Sequence, residues 1–457
     1  MGLARARRES AFTGMFASFE VIPYRWVWTA ALCGNSGRFA AILVAGWEAY
    51  RLGHHSSIWP SMVAMLLLIP SMFFGLFAGA LADRFNRARM AASGQFVNAI
   101  GCSSAGVLAV LDRLNLTNLL VLTAVVGIGN SFQGPAWQAM IPQLVGPERL
   151  LNASMMTRIA QQGAELTGPA AGTAVLAAFG PGPTFFLCAS FYLAGWSMLM
   201  HLRQTVSVPI GTEKSDGLLR PIARGFAYVK KEQPLGRLLT WVGLHCSLTM
   251  ASIGILPAVA TANLHGNAGA YGLLLTSFGL GSVIGPTFMI TFGTRLRTFP
   301  VLLGSGVMSG IPLVAIGLVH SVGVDLFASG LAGAGQAVFM AGIYSATQGA
   351  AVDAMRGRVA SIQLTLTTGT MGVIGVGWGA LVGIVAPGIV MALPGGLFVL
   401  ACIPFAFRSD RITAPLQRRM ALPTTGAGVS PLGLSPGVAF EPGGAMIGTA
   451  IRDLEIG

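Results

Sequence analysis

The chain has 457 residues, of which 53% are hydrophobic and only 10% are charged, and its mean hydropathy is +0.69. A soluble domain carries about a quarter charged residues, so this composition excludes an ordinary soluble enzyme and favours a protein of the lipid bilayer. The formal charge of +12 does not predict nucleic-acid binding, because many of the basic residues lie in short loops between apolar segments.

A spanning helix needs about 20 mostly apolar residues, and twelve segments of the sequence meet this need. The first six are predicted at Trp26–Tyr50, Ile58–Leu81, Met90–Leu111, Leu116–Gln138, Ala153–Phe179 and Thr184–Leu202. The other six are predicted at Leu238–Asn263, Tyr271–Phe292, Pro300–Val319, Val324–Gly349, Val359–Val385 and Gly388–Phe407. The fifth and eleventh segments are polar enough for hydropathy alone to miss them. The pattern predicts an all-α membrane protein with twelve transmembrane helices in two six-helix halves.

The remaining sequence divides the chain into five parts. We predict an N-terminal segment at 1–25, a first bundle at 26–202, a charged loop at 203–237, a second bundle at 238–407 and a tail at 408–457. The tail is rich in Pro and Gly and has no segment long enough to span, so it is predicted to be disordered.

Lysine and arginine accumulate in cytoplasmic loops of membrane proteins, which gives an orientation. One set of loops holds Arg84, Arg87, Arg89, Arg149, Arg295, Arg297, Arg356 and Arg358, whereas the opposite set holds only Arg51 and Arg113. We therefore predict a multi-pass protein of the bacterial inner membrane with both termini in the cytoplasm.

Two patches recur at an offset of about 206 residues, close to the length of six spans with their loops. Gly75-xxx-Gly79 corresponds to Gly281-xxx-Gly285, and Gly127-Ile-Gly-Asn130 corresponds to Gly333-Ala-Gly-Gln336. Such a repeat predicts pseudo-symmetric halves with a substrate site near the midplane, where the halves meet.

The loop after the second span resembles the signature loop of the major facilitator superfamily. The residues that carry this resemblance are Gly79, Asp83, Arg84, Arg87 and Arg89. The resemblance implies a conformational latch in which Asp83 accepts bonds from arginines or a helix N-terminus. The alternative is a generic basic turn at the cytoplasmic face.

A second motif, Gly168-Pro169-x-x-Gly172, resembles an element of exporters in the same superfamily. Gly and Pro predict a bend, and Gly172 allows a partner helix to approach; an ordinary kinked helix is the alternative.

The stretch from Gly134 to Ala153 resembles the branch that includes enterobactin and macrolide exporters. This resemblance implies proton-coupled efflux of an amphipathic small molecule by alternating access, although the fourth span lacks the buried arginine of many proton-coupled relatives. An importer and a non-transporting sensor are the alternative functions.

Ionisable residues inside spans are costly, and each is a candidate functional residue. The candidates are Arg38, Arg158 and Glu165. In the related exporters the position of Arg38 is usually Asp and that of Glu165 is often Arg, so the resemblance implies a charge pair of reversed sign. Two interpretations remain open: Glu165 binds and releases a proton, or it pairs permanently with Arg38.

Polar residues within the spans are candidates for the cavity wall, and helix–helix hydrogen bonding is an equal alternative for each. They are Asn35, Asn130, Gln133, Gln162, Gln336 and Tyr344. The sequence predicts no metal site, since His54, His55 and Glu48 do not define one, and it predicts no cofactor. The expected partners are a small-molecule substrate, protons and the bilayer, and the protein is expected to be a monomer.

Overall fold

The computed structural model describes residues 17–82, 86–202, 227–264, 266–292, 298–352 and 355–407, with the side chains of 74–82, 135, 138, 139, 151, 233, 263, 290–292 and 298 outside this description. Within these ranges all regular secondary structure is helical. The described part begins with a 3-10 turn, Ala17–Glu20, and continues as long helices.

The helices of the first half are α1 (Ile22–Leu52), α2 (Ile58–Ala82), α3 (Arg87–Val110), α4 (116–145), α5 (147–179) and α6 (Pro181–Leu202). The second half contains α7 (233–264), α8 (Ala268–Phe292), α9 (Thr298–Leu318), α10 (Val322–Ala350), α11 (Arg356–Leu381) and α12 (Pro387–Phe407). Helix α7 has three parts: Gln233–Leu248, a 3-10 segment at Met250–Ile255, and Leu256–Leu264.

Residues with special backbone preferences set the helix ends. Asn115 caps α4, because its side chain accepts a hydrogen bond from the Asn118 amide at 2.8 Å. Gly146 separates α4 from α5 with φ +71°, a left-handed conformation that favours glycine. Gly180 separates α5 from α6 in the same way, with φ +82°. Prolines follow both glycines and begin the next helix.

Every predicted span overlaps a helix, and nine helices in the described residues are long and apolar enough to cross a membrane. Helix α5 fails this test, as predicted. Helix α11 passes the test although its polar residues could have hidden it, and α3 is not among the nine, nor is α2, whose described apolar stretch is only Ile58–Phe73. The lower hydropathy of α3 reflects polar residues that the structure buries, among them Gln95 and Asn98. The count of twelve crossings stays a prediction.

The two halves repeat one packing pattern. A Cβ at Gly127 of α4 would collide with the Leu66 carbonyl of α2, and a Cβ at Gly129 would lie 2.8 Å from the Gly94 carbonyl of α3. In the second half a Cβ at Gly333 of α10 would collide with the Phe278 carbonyl of α8. Likewise, a Cβ at Gly335 would lie 2.9 Å from the Ser305 carbonyl of α9. The glycines therefore allow equivalent helix contacts in both halves.

The halves meet along two helix pairs, α2 with α11 and α5 with α8. In the first pair, Gly372 and Gly379 of α11 let α2 approach, and a Cβ at Gly379 would lie 2.5 Å from the Ser57 carbonyl. In the second pair, Gly272 and Gly279 of α8 pack against Thr173 and Glu165 of α5. Side chains on these four helices therefore lie where one half would move against the other.

Candidate transport site

Glycines in α5 allow close contact with α1 and so position the charged residues of both helices. A Cβ at Gly168 would lie 2.5 Å from the Ser36 carbonyl, and a Cβ at Gly172 would lie 2.9 Å from Leu43 Cδ2. The predicted approach of a partner helix is therefore present. The backbone keeps helical φ and ψ through Gly168 and Pro169, and the residue that interrupts the helical run is Gly146.

Arg38 and Glu165 are close enough to interact electrostatically, but they do not form a salt bridge. The Arg38 guanidinium carbon lies 4.7 Å from the centre of the Phe39 ring. Its buried Nε has no hydrogen-bond partner among the described residues. The Glu165 carboxyl lies beside the side chain of Ser282 on α8. The structure thus places both predicted charges on facing helices of the first half, with Glu165 at the boundary between the halves.

Three further predicted residues contact the opposite half. Gln162 of α5 donates a hydrogen bond from Nε2 to the Ser282 carbonyl of α8 at 3.1 Å. Arg158, also on α5, places its guanidinium carbon 5.5 Å from the ring centre of Tyr344 on α10. Both Arg158 and Tyr344 are exposed. These contacts form a polar seam between the halves, which continues from Glu165 toward the N-terminal end of α5.

Other predicted cavity residues form hydrogen bonds within the first half. Asn130 of α4 accepts a hydrogen bond from Asn98 Nδ2 of α3 at 2.8 Å and another from Gln133 Nε2 at 3.4 Å. Asn35 donates from Nδ2 to the Ala31 carbonyl of its own helix at 2.8 Å. Gln336 is half-buried on α10. For Asn130, helix–helix bonding describes the contact with Asn98, whereas Gln133 forms its bond within its own helix.

The predicted latch lies partly outside the described residues. Asp83 and Arg84 fall in the undescribed range, and Gly79 belongs to α2 without a described environment. Arg87 begins α3, and the backbone amide of Arg89 donates to the Asn86 side chain at 3.1 Å. The latch therefore stays a prediction.

The C-terminal end of α1 contains a buried carboxylate that the inventory of charges in the sequence missed. The Glu48 side chain is only 2% exposed and receives Arg51 Nη2 at 2.6 Å. A metal site with His54 and His55 would need the Glu48 carboxylate as a ligand, and this carboxylate is paired with Arg51 instead. Among the described residues no group of three or more His, Cys, Asp or Glu is arranged to hold a metal ion. The spacing of Glu48 and Arg51, three residues apart on one helix, could have revealed the pair.

Three buried polar residues of α3 and α6 were also missed: Gln95, Asn98 and Tyr192. Tyr192 packs against α1, since a Cβ at Gly37 would lie 3.3 Å from its Cδ2. It is completely buried and lies close enough to Arg38 to interact with it electrostatically. The low hydropathy of α3 could have indicated its buried polar residues. Tyr192 lies in an apolar segment, and nothing in its sequence context indicated a buried polar role.

His245 of α7 is a buried histidine whose Nε2 is hydrogen-bonded and whose Nδ1 has no partner among the described residues. Its ring stacks on Phe339 with centroids 4.3 Å apart, and its Nε2 lies 3.1 Å from Ser309 Oγ. Ser309 donates its own hydroxyl proton to the Gly306 carbonyl at 2.8 Å, so Nε2 of His245 is the donor in this contact.

Known proteins with similar sequences are exporters. The enterobactin exporter EntS of Citrobacter koseri is 26% identical over 305 residues, which cover 66% of this chain and 72% of that protein. The macrolide efflux protein A of Streptococcus pyogenes is 22% identical over 271 residues, which cover 58% of this chain and 66% of that protein.

Solved structures with the same architecture are transporters. A POT family transporter in complex with 5-aminolevulinic acid superposes with a TM-score of 0.68 at 12% identity, covering 85% of this chain and 96% of that one. The POT family transporter PepTSo gives a TM-score of 0.68 at 12% identity, with 86% and 99% covered. At these identities the likeness shows the fold alone.

The model of the family described as transmembrane secretion effectors matches residues 13–416, which is most of the sequence. The match agrees with the helical architecture, the apolar spans and the transporter fold of the structural neighbours. The chain therefore belongs to the transmembrane secretion effector family of the major facilitator superfamily, and it is a multi-pass membrane transporter and not an enzyme.

Proposed function

We propose that this transporter exports an amphipathic small molecule across the bacterial inner membrane in exchange for protons, by alternating access. The observation that carries the proposal is the arrangement of Arg38 and Glu165. The two residues lie on facing helices within electrostatic reach of each other and do not form a salt bridge. Glu165 also lies against α8 of the other half.

A carboxylate in a bilayer is stable only if it is paired, hydrated or protonated. Because no salt bridge fixes Glu165 to Arg38, the carboxyl can take up a proton without first breaking an ion pair. The same residue contacts α8, so a change in its charge would alter the contact between the halves. This supports Glu165 as a proton carrier over a permanent structural partner of Arg38.

The contacts between the halves are close at the end of the bundle that holds residues 53–57. There Tyr50 Oη lies 2.9 Å from Thr261 Oγ1, and the Trp47 ring stacks on Tyr271 with centroids 6.3 Å apart. At the opposite end, Arg158 and Tyr344 meet across the halves while exposed. With the orientation predicted from the basic loops, the end with the Tyr50 and Trp47 contacts is extracellular and the end with the exposed Arg158–Tyr344 contact is cytoplasmic.

The sequence relatives support export as the direction, because their names describe an enterobactin exporter and a macrolide efflux protein. We propose the same direction of transport for this protein, and we do not assign it enterobactin or a macrolide as substrate. The proposal includes cytoplasmic termini and a monomeric state. The predicted loop at 203–237 lies largely outside the described residues, and the predicted tail at 408–457 lies wholly outside them.

A transport assay with a panel of compounds tests the proposal. Cells with and without the protein are loaded with amphipathic compounds that include enterobactin and a macrolide, and efflux is followed with and without a protonophore. We expect faster efflux of at least one compound and loss of the difference when the protonophore is present. Faster uptake would instead identify an importer, and equal flux across the whole panel would support a non-transporting role.

A further inference from the structure

Two hydrogen-bond donors in the first half lie near a third donor, the buried hydroxyl of Tyr192. Tyr192 of α6 is 0% exposed, and its Oη has no hydrogen-bond partner among the described residues. The Arg38 guanidinium interacts electrostatically with it, and the Asn130 side chain lies beside it. Arg38 Nε and Asn130 Nδ2 also lack partners in the described part of the chain. Buried donors without acceptors are rare in folded proteins, because each one costs free energy.

The surrounding contacts fix these donors in place. Asn130 Oδ1 already accepts from Asn98 and Gln133, so the free group of this amide is Nδ2, a donor. Gly37 brings α1 and α6 together, since a Cβ there would lie 3.3 Å from the Cys188 carbonyl. The hydroxyl of Tyr192 and the guanidinium of Arg38 are therefore held near one another by close helix packing.

We propose that Arg38, Tyr192 and Asn130 form a binding site for one monovalent anion. A guanidinium, a phenol and an amide NH₂ all donate hydrogen bonds, and a positive charge among them favours a negative ligand. The ligand is a halide such as chloride or the acidic group of a transported molecule. Both carry a negative charge and accept hydrogen bonds from these donors. Glu165 is not itself the anion at this site, because it forms no salt bridge with Arg38.

Anion binding to the full-length protein in detergent tests the site without a substrate or a proton gradient. Melting temperature is measured while sodium gluconate is replaced by sodium chloride, bromide or benzoate at constant ionic strength. Ligands that bind the folded state stabilise it, so we expect a saturable rise. A rise with the halides identifies an inorganic anion, and a rise with benzoate alone identifies an organic acid. Equal melting temperatures in all four salts would overturn the proposal.

Matched tyrosine variants locate the effect. Tyr192→Phe removes one donor to the anion and should weaken its apparent affinity about tenfold or more, as expected for a hydrogen bond to a charged group. Tyr24→Phe is the control, because its buried hydroxyl already donates to the Ala153 carbonyl at 2.6 Å. Equal anion affinity in the two variants would place the anion elsewhere and contradict the site.

An Arg38 variant provides a second test within the proposed site. Arg38→Gln should abolish the anion effect, and Arg38→Lys should retain part of it because the charge remains. The binding assay is independent of proton-driven transport. Absence of the anion effect in a protein whose transport depends on Glu165 would therefore overturn this inference alone.

Discussion

Gly127 of α4 and Gly333 of α10 lie 206 residues apart, and each contacts the backbone of the helix two positions earlier in its own half. In the first half this partner is α2 at Leu66, and in the second half it is α8 at Phe278. No side chain fits at either contact. The internal similarity of the sequence thus has a physical basis in how closely these helices pack.

Alanine at either glycine should destabilise the protein. Gly127→Ala and Gly333→Ala each place a methyl group against a carbonyl oxygen, and such overpacking typically costs about 1–3 kcal/mol. Thermal unfolding in detergent measures the effect. The controls are Gly134→Ala on α4 and Gly349→Ala on α10, where a Cβ would meet no atom within 4 Å. Equal melting temperatures for test and control variants would show that these contacts do not limit the packing.

The Glu48–Arg51 pair predicts an asymmetric response to mutation. Arg51→Gln leaves a buried carboxylate without its cation, whereas Glu48→Gln leaves an arginine whose side chain is 55% exposed. We expect the melting temperature to fall more for Arg51→Gln than for Glu48→Gln, because water can solvate the arginine. The double variant should recover part of the loss. A larger fall for Glu48→Gln would contradict this account.

The sequence predicted the fold well because the membrane constrains it strongly. Apolar length located most of the spanning helices, and the terminal errors were small where proline, asparagine or glycine set the ends. The largest difference lies between the fourth and fifth predicted spans, where the helices extend to either side of Gly146. Residues 139–152 contain enough polar groups to suggest a loop, but they continue the two helices as far as one left-handed glycine.

The candidate site was predicted less completely. Arg38, Glu165 and Arg158 stood out because charge is rare in apolar segments, and resemblance to exporters suggested that two of them face each other. Tyr192 was not predictable, since a tyrosine in an apolar helix is common and only the three-dimensional packing places its hydroxyl near Arg38. Contacts between the halves, such as Arg158 with Tyr344, also depend on the tertiary arrangement.

The contact between Arg158 and Tyr344 should bias the protein toward the conformation described. A cation–π interaction at an exposed site is worth about 0.5–1 kcal/mol, which corresponds to about a two- to fivefold change in the ratio of two conformations. Tyr344→Leu should shift this ratio toward separation of α5 and α10, while Tyr344→Phe should preserve it. Distances between spin labels on the two helices measure the shift. Identical distance distributions for the leucine and phenylalanine variants would argue against the contact as a conformational bias.

The role of Glu165 in proton coupling is the central claim, and Glu165→Gln tests it most directly. The variant is reconstituted in proteoliposomes with a compound identified by the efflux panel. The control is Glu20→Gln, which alters an exposed carboxylate paired with Arg149 at 2.8 Å. We predict that Glu165→Gln loses transport driven by a pH gradient and retains exchange of labelled for unlabelled compound, while Glu20→Gln keeps both. Undiminished gradient-driven transport by Glu165→Gln would contradict the account.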